Sequence, residues 1–370
     1  MALEPYRALY LHLPFCVSRC AYCDFATEAL PAADARIDEY VEGLCLELRR
    51  AARAGDLGAI ETVYLGGGTP SHVGMARLSM LLYTLSLSMR LEPDVECTME
   101  ANPESLTANM VRDVWALGVN RLSIGVQSFD DAVLRILGRA HDAEAARRAI
   151  AAAQERFDNV SVDLMCGIPG QSAESLAASV EEAVAHGVSH VSVYPLAIEE
   201  GTPFFRKVQA GEMERPSDEA AAEHMQLAAA VLASAGFERY EVASHARPGF
   251  ACRHNIAYWT GVPYLGLGRA AVSMAQGDGR RVRSQDGEVV EELDARQMAA
   301  EDLMLGMRMT AGVSDARLAA ATELLEKAPA RLEELAALGL VVHEQARWRP
   351  TELGWLCGNE LYGRLLDLAP

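Results

Sequence analysis

The sequence is poor in positive charge, in long apolar runs and in targeting signals, and each shortage excludes something. Lys and Arg number 33 against 52 Asp and Glu, a formal net charge of −19. A surface that negative repels phosphate backbones, so nucleic acid is not an expected partner. No apolar run reaches the length of about 18 residues that a membrane-spanning helix needs, so none is expected. The most apolar helical stretch, Met225 to Phe237, is broken by Gln226, Ser234 and Gly236. The opening MALEPYRALYLHLPF has neither a basic start nor a small-residue cleavage site, so no signal peptide is expected and the cytoplasm is the expected compartment. Eight cysteines in that compartment should not form a disulfide framework. What the chain does have is apolar material: half of its 370 residues, enough for one large core and a smaller second one.

A βα rhythm runs through the first two thirds. Apolar, β-rich runs at 8–13, 62–65, 95–99, 121–126, 160–165 and 190–196 predict six strands. Helix-like segments at 33–54, 76–89, 108–117, 143–157, 174–186 and 218–234 alternate with them, which argues for a parallel sheet. Polar or Gly-rich clusters follow the strands: CVSRC, then GGGTP, EANPE, GVQSF and CGIPG. Several strand ends contributing to one site is the pattern of a barrel, and no GxGxxG follows the first strand to support a dinucleotide fold. Beyond about Gly236 the rhythm stops. A segment rich in Tyr, His, Gly and Arg leads into a helix–strand–turn–strand–helix tail of winged-helix type, too acidic for DNA and read as an appendage to the barrel.

The strongest signal is Cys16, Cys20 and Cys23 in HLPFCVSRCAYCDF. Three thiolates on one loop can hold three irons of a [4Fe–4S] cube and leave the fourth iron open. A zinc site would need a fourth ligand, and no second CxxC exists. His12 is available on paper, but beside Leu11 and Leu13 on a strand it is expected to face the barrel interior.

The segments YLHLPFC, CAYCDF, YLGGGTPS, MEANPE, NRLSIGVQSF, LGRAH, VDLMCGIPGQ and HNIAYW together resemble the HemN/HemW group of radical-SAM proteins. That group comprises oxygen-independent coproporphyrinogen III oxidases and related heme chaperones. The resemblance covers nearly the whole chain. It implies an α/β fold, an incomplete (β/α)6 barrel with a small α-rich C-terminal domain. The corresponding division is 1–240 for the barrel, 241–290 for a connecting segment with HNIAYW, and 291–370 for the accessory domain. It also implies S-adenosylmethionine (SAM) chelated on the open iron, where reductive cleavage yields a 5′-deoxyadenosyl radical. By the same resemblance Tyr10, Phe25, Gly67, Gly68, Thr69, Glu100, Gln127, Arg139, Asp163 and Val272 are SAM-contact positions. Glycines allow close backbone approach, a strand-end carboxylate suits the ligand's donors, and a guanidinium can grip its carboxylate. For Tyr10 a core aromatic role, and for Arg139 a solvated surface charge, are the plainer alternatives.

Two functions divide this group. One is oxidative decarboxylation of coproporphyrinogen III; the other is carriage of heme to acceptor proteins. The oxidase pattern adds a fourth cysteine two residues after the third, where this chain has Phe25. That residue, HNIAYW and the tail WRPTELGWLCGNELYGRLL favour the chaperone branch, with heme and its acceptor proteins as partners and coproporphyrinogen oxidase activity not expected. A homodimer and peripheral membrane association stay open. His254 is then the expected iron donor, Cys252 its alternative, with Tyr258 and Trp259 offering flat apolar surface; equally, His254 could simply pin a loop to the barrel. GLGRAAVSM departs from the chaperone pattern at Arg269 and Val272, which leaves a divergent enzyme on another tetrapyrrole as a third reading.

Overall fold

The computed structural model describes residues 3–370, so the first two residues of the N-terminal reading lie outside it. Its centre is six parallel strands: β1 (Tyr6–Leu13), β2 (Leu57–Gly67), β3 (Leu91–Ala101), β4 (Arg121–Gln127), β5 (Val160–Cys166) and β6 (His190–Pro195). Helices pack over the sheet, among them α1 (Ala35–Ala54), α2 (Met75–Ser88), α3 (Ala108–Ala116), α4 (Asp131–Leu137), α5 (Ala143–Gln154), α6 (Ala173–Ala185), α7 (Pro203–Gln209) and α8 (Asp218–Ser234). Starts are set by side-chain caps: Asp34, Thr107, Asp130, Asp142, Ser172, Thr202 and Ser217 each accept from a backbone N–H of the first turn.

The six expected strands are present, the first five extended at one or both ends and the sixth one residue shorter. The sequence reading stops the sheet at that point; the structure does not. After β7 (Glu238–Arg239), β8 (Ser244–Ala246) and the helix α9 (Arg253–Trp259), a seventh parallel strand, β9 (Tyr264–Leu267), pairs with β1. The antiparallel strands β10 (Val272–Gly277), β11 (Arg280–Gln285) and β12 (Glu288–Leu293) continue from it. The order is β12-β11-β10-β9-β1-β2-β3-β4-β5-β6-β8-β7, a twelve-stranded open sheet curled into a partial barrel. The connecting segment is therefore a wing of the barrel sheet.

Helix α10 (Ala295–Gly306) opens the C-terminal module, which has its own core around Leu303, Leu332, Leu335 and Leu361. Its helix, two strands (Val341–Glu344, Arg347–Pro350) and helix appear as the sequence implies, with Val313–Ser314 adding a third strand. Among the described residues no helix is long and apolar enough to cross a membrane.

Alternation along the strands decides what the barrel holds. Leu9, Leu11, Val63, Leu65, Cys97, Met99, Leu122, Ile124, Val162, Leu164, Val191 and Val193 belong to the buried core against the helices. The residues between them point to the other face: Tyr10, His12, Thr62, Tyr64, Glu96, Glu100, Arg121, Ser123, Asp163 and Ser192. A barrel interior is usually filled by branched apolar side chains. This one is polar, which marks it as a site.

Candidate functional site

At the C-terminal ends of the strands this polar interior opens into a cavity of about 390 Å³. The chain between β1 and α1 folds over it, held by a two-residue parallel pairing of Phe15–Cys16 with Glu28–Ala29. That pairing brings Cys16, Cys20 and Cys23 to the cavity wall. The Thr69 hydroxyl donates to Cys16 Sγ at 3.3 Å, and Arg139 Nη1 donates to Cys20 Sγ at 3.3 Å. Burial, above all, pushes the Cys16 thiol up to about 11, while the Thr69 bond pulls the other way. Among the described residues no three His, Cys, Asp or Glu converge tightly enough to hold a single metal ion. A mononuclear zinc site is thereby disfavoured. Three separate thiols with hydrogen-bond donors aimed at two of them fit the three corners of a [4Fe–4S] cube.

The GGGTP turn has a geometric reason. Gly67 has φ +102, and a Cβ on it would lie 2.3 Å from the His12 ring; a Cβ on Gly68 would lie 2.6 Å from the Leu13 carbonyl oxygen. Only glycine lets this turn press against β1. The Gly67 N–H donates to Glu100 Oε2 at 3.0 Å and the Tyr64 hydroxyl to Oε1 at 2.9 Å. Burial, the larger effect, and the nearby Asp163 raise the Glu100 carboxyl to about 7 despite these bonds. Asp163 accepts from Ser123 at 3.1 Å and is likewise pushed upward by burial. Gln127 reaches the cavity with φ +68, strained for a non-glycine residue and the kind of outlier that binding sites store.

Arg139 corrects one expectation. It is no solvated surface charge, since it lines the cavity, and its two terminal nitrogens are committed. Nη2 donates to Asn102 Oδ1 (2.8 Å) and the Gly125 carbonyl (2.6 Å), and Nη1 reaches Cys20. Only Nε is unpartnered, so a two-pronged grip on a carboxylate is not available here. Its role is to join the cysteine loop to β4. Asn102, which the sequence reading passed over inside EANPE, completes the link by donating to Thr69 Oγ1 at 2.9 Å. Tyr64, Arg121, Ser192 and Tyr194 also line the cavity and went unread, because nothing but strand parity points them inward.

Two of the remaining SAM candidates sit elsewhere, and the third, Phe25, lines both cavities. Tyr10 and Val272 line a second cavity of about 540 Å³ that shares Phe25, Gly67 and Glu100 with the first. Phe25 is 64% exposed at the rim between the two. His12 is buried facing inward, with Nδ1 near the Tyr10 hydroxyl (3.0 Å) and Nε2 near the Ala26 carbonyl (3.2 Å).

HNIAYW forms α9, and its two expected iron donors are corrected by the structure. His254 is 1% exposed, stacked on Tyr64, with Nδ1 on the Thr62 hydroxyl (2.9 Å) and Nε2 on the Tyr258 hydroxyl (3.1 Å). Burial, then Arg121, depresses it to about 3, so it stays neutral and spent. Cys252 is fully buried, donates to Glu96 Oε1 at 3.5 Å, and is raised by burial to about 12. Neither offers a coordination position. Tyr258 and Trp259, in contrast, do line the second cavity.

Comparison with known proteins agrees with this layout. Residues 10–183 match the Radical SAM superfamily and residues 293–357 the HemN C-terminal domain. The heme chaperone HemW of Mycobacterium tuberculosis is 37% identical, over 97% of this chain and 94% of that protein. HemW of Bacillus subtilis is 32% identical over 97% and 99% of the two chains. HemW of Escherichia coli is also 32% identical, over 98% of each. Among solved structures, coproporphyrinogen III oxidase (HemN) from Escherichia coli superposes with a TM-score of 0.82. That match covers 99% of this chain and 90% of the oxidase at 22% identity, a likeness of fold.

Proposed function

The chain belongs to the HemW family of radical SAM proteins, and on that premise we propose that it binds heme and passes it to acceptor proteins. The observation that carries this reading is end-to-end similarity to proteins named heme chaperones, whereas the oxidase shares the fold at 22% identity. Phe25, where the oxidase pattern has a cysteine, points the same way. The direct test is anaerobic titration of the purified protein with hemin, expected to saturate at about one heme per chain. No saturable binding would contradict it.

Cys16, Cys20 and Cys23 are the residues to hold a [4Fe–4S] cluster, with Gly67, Gly68, Thr69, Glu100, Gln127 and Asp163 around SAM. When bound, the cluster supplies the electron for reductive cleavage of SAM. The protein's part is positional: Thr69 and Arg139 orient two thiolates, and Glu100 presents a carboxylate fixed by Tyr64 and Gly67. Ionised, Glu100 attracts a cationic donor group of the ligand; protonated, it keeps only a neutral acceptor. With its carboxyl raised to about 7, ionisation is lost as pH falls through neutrality. Cluster-loaded protein should therefore bind SAM roughly tenfold more weakly near pH 6 than near pH 8. Glu100→Gln should flatten that profile, as read by calorimetry at several pH values. A pH-independent wild-type affinity would remove Glu100 from the SAM site.

A further inference from the structure

Most of the second cavity's wall comes from β1, β9, β10, β11 and α10, which the first does not use. Tyr264 of β9 pairs with Ala8 of β1 and with Met274 of β10, and Met274 pairs with Arg283 of β11. Register therefore puts Tyr10, Tyr264, Met274 and Arg283 on one face of the sheet. Tyr258 and Trp259 of α9 and Leu305 of α10 line the same space. At about 540 Å³ it lies within the usual range of small-molecule sites, and its aromatic walls suit a flat apolar body.

Five of the lining residues carry an atom that could hold iron without belonging to the first cavity: Tyr10, His12, Tyr258, Tyr264 and Met274. His12 and Tyr10 bond each other, His12 also engages Ala26, and Tyr258 is engaged by His254. Met274 is a neutral thioether, and ferric iron in a tetrapyrrole gains more from an anionic oxygen. Tyr264 differs. Arg283, on the same sheet face across Met274, lines the cavity with it, its guanidinium held by Glu291 and Glu301, the latter at 2.7 Å. Burial raises the Tyr264 phenol and Glu301 adds to the rise, while Arg283 and, more weakly, Arg281 work against it. It is the one donor here whose anion would meet a cation.

We propose that the second cavity is the heme seat and that the phenolate oxygen of Tyr264, backed by Arg283, is the protein ligand to ferric heme iron. The proposal rests on the heme-carrier reading above. Phenolate is an established donor to heme iron. On binding, an Fe–O bond forms, the Tyr264 O–H bond breaks, the proton leaves to solvent and no electron moves, so affinity rises with pH. Because Phe25, Gly67 and Glu100 wall both cavities, seated heme changes SAM affinity, and SAM changes heme affinity by the same factor.

Hemin titration followed by resonance Raman spectroscopy tests this. The wild type should show phenolate–iron modes. Tyr264→Phe should lose them and bind at least ~10-fold more weakly, and Arg283→Gln should keep the modes but weaken binding by about the same factor. Tyr264→His, which restores a donor, should recover affinity with an imidazole-type spectrum, showing that the cavity itself survives substitution. A Tyr264→Phe protein with wild-type affinity and spectrum, or a wild type without phenolate modes, overturns the ligand while leaving heme carriage standing. A wild type that binds no hemin overturns the carrier reading itself.

Discussion

Replacing Cys16, Cys20 or Cys23 with Ala should leave a folded protein that takes up no [4Fe–4S] cluster. The three thiols share one wall of the first cavity, and among the described residues no fourth His, Cys, Asp or Glu joins them to form a single-ion site. Losing one leaves two corners held, and nothing nearby substitutes. Cys45, on the buried face of α1, packs in the core and Cys357 is exposed in the C-terminal module, so Ala at either position should retain full iron and sulfide. Iron and sulfide analysis after anaerobic reconstitution, with the broad visible absorption and its response to SAM, reads the outcome. An active, iron-free zinc protein would contradict it.

The second large effect concerns stability. Glu96 of β3 is 6% exposed and accepts three hydrogen bonds from the start of α9: Arg253 N at 3.0 Å, His254 N at 3.1 Å and Cys252 Sγ at 3.5 Å. Helix α9 has no side-chain cap of its own, so this carboxylate supplies it. Glu96 also balances Arg121, which is 2% exposed with Nε unpartnered. Burial works against the Arg121 charge; anionic neighbours, Glu96 among them, restore it and hold its pKa above the ordinary value. Glu96→Ala removes the helix cap, leaves the Arg253 and His254 N–H groups without their acceptor and takes one carboxylate from around Arg121, which should cost ~2–4 kcal/mol in denaturant unfolding. His343→Ala, breaking an exposed 2.8 Å contact with Asp315, should cost under about 1 kcal/mol. Equal midpoints for the two variants would contradict the assigned role.

These two cases mark what the sequence made legible. Spacing alone exposed the cysteine loop, because three thiols within eight residues have few other uses. Apolar runs exposed the six central strands, whose outer faces pack on helices. The β9–β12 wing was missed although its turns announce themselves. Asp278-Gly279 and Asp286-Gly287 all have positive φ, the Asp-Gly signature of a tight hairpin. The strands they join are short and carry Arg, Ser and Gln, so no apolar run drew attention to them. The fate of His254 was illegible for another reason. Local sequence shows a histidine near aromatics, but only the fold reveals that Thr62, some two hundred positions away in the chain, takes one of its nitrogens. Arg121 and Asn102 were hidden alike: each acts by closing a buried network between strands, and a network has no local motif.

The central claim is that this chain carries heme instead of decarboxylating a porphyrinogen, and one paired assay tests it most directly. Reconstituted protein is incubated anaerobically with SAM and a reductant, with hemin in one arm and coproporphyrinogen III in the other. The account predicts saturable hemin binding at about one per chain and no accumulation of protoporphyrin after oxidation of the second arm. Loss of two propionate carboxyls from each porphyrin over many turnovers, with no hemin bound, would contradict it.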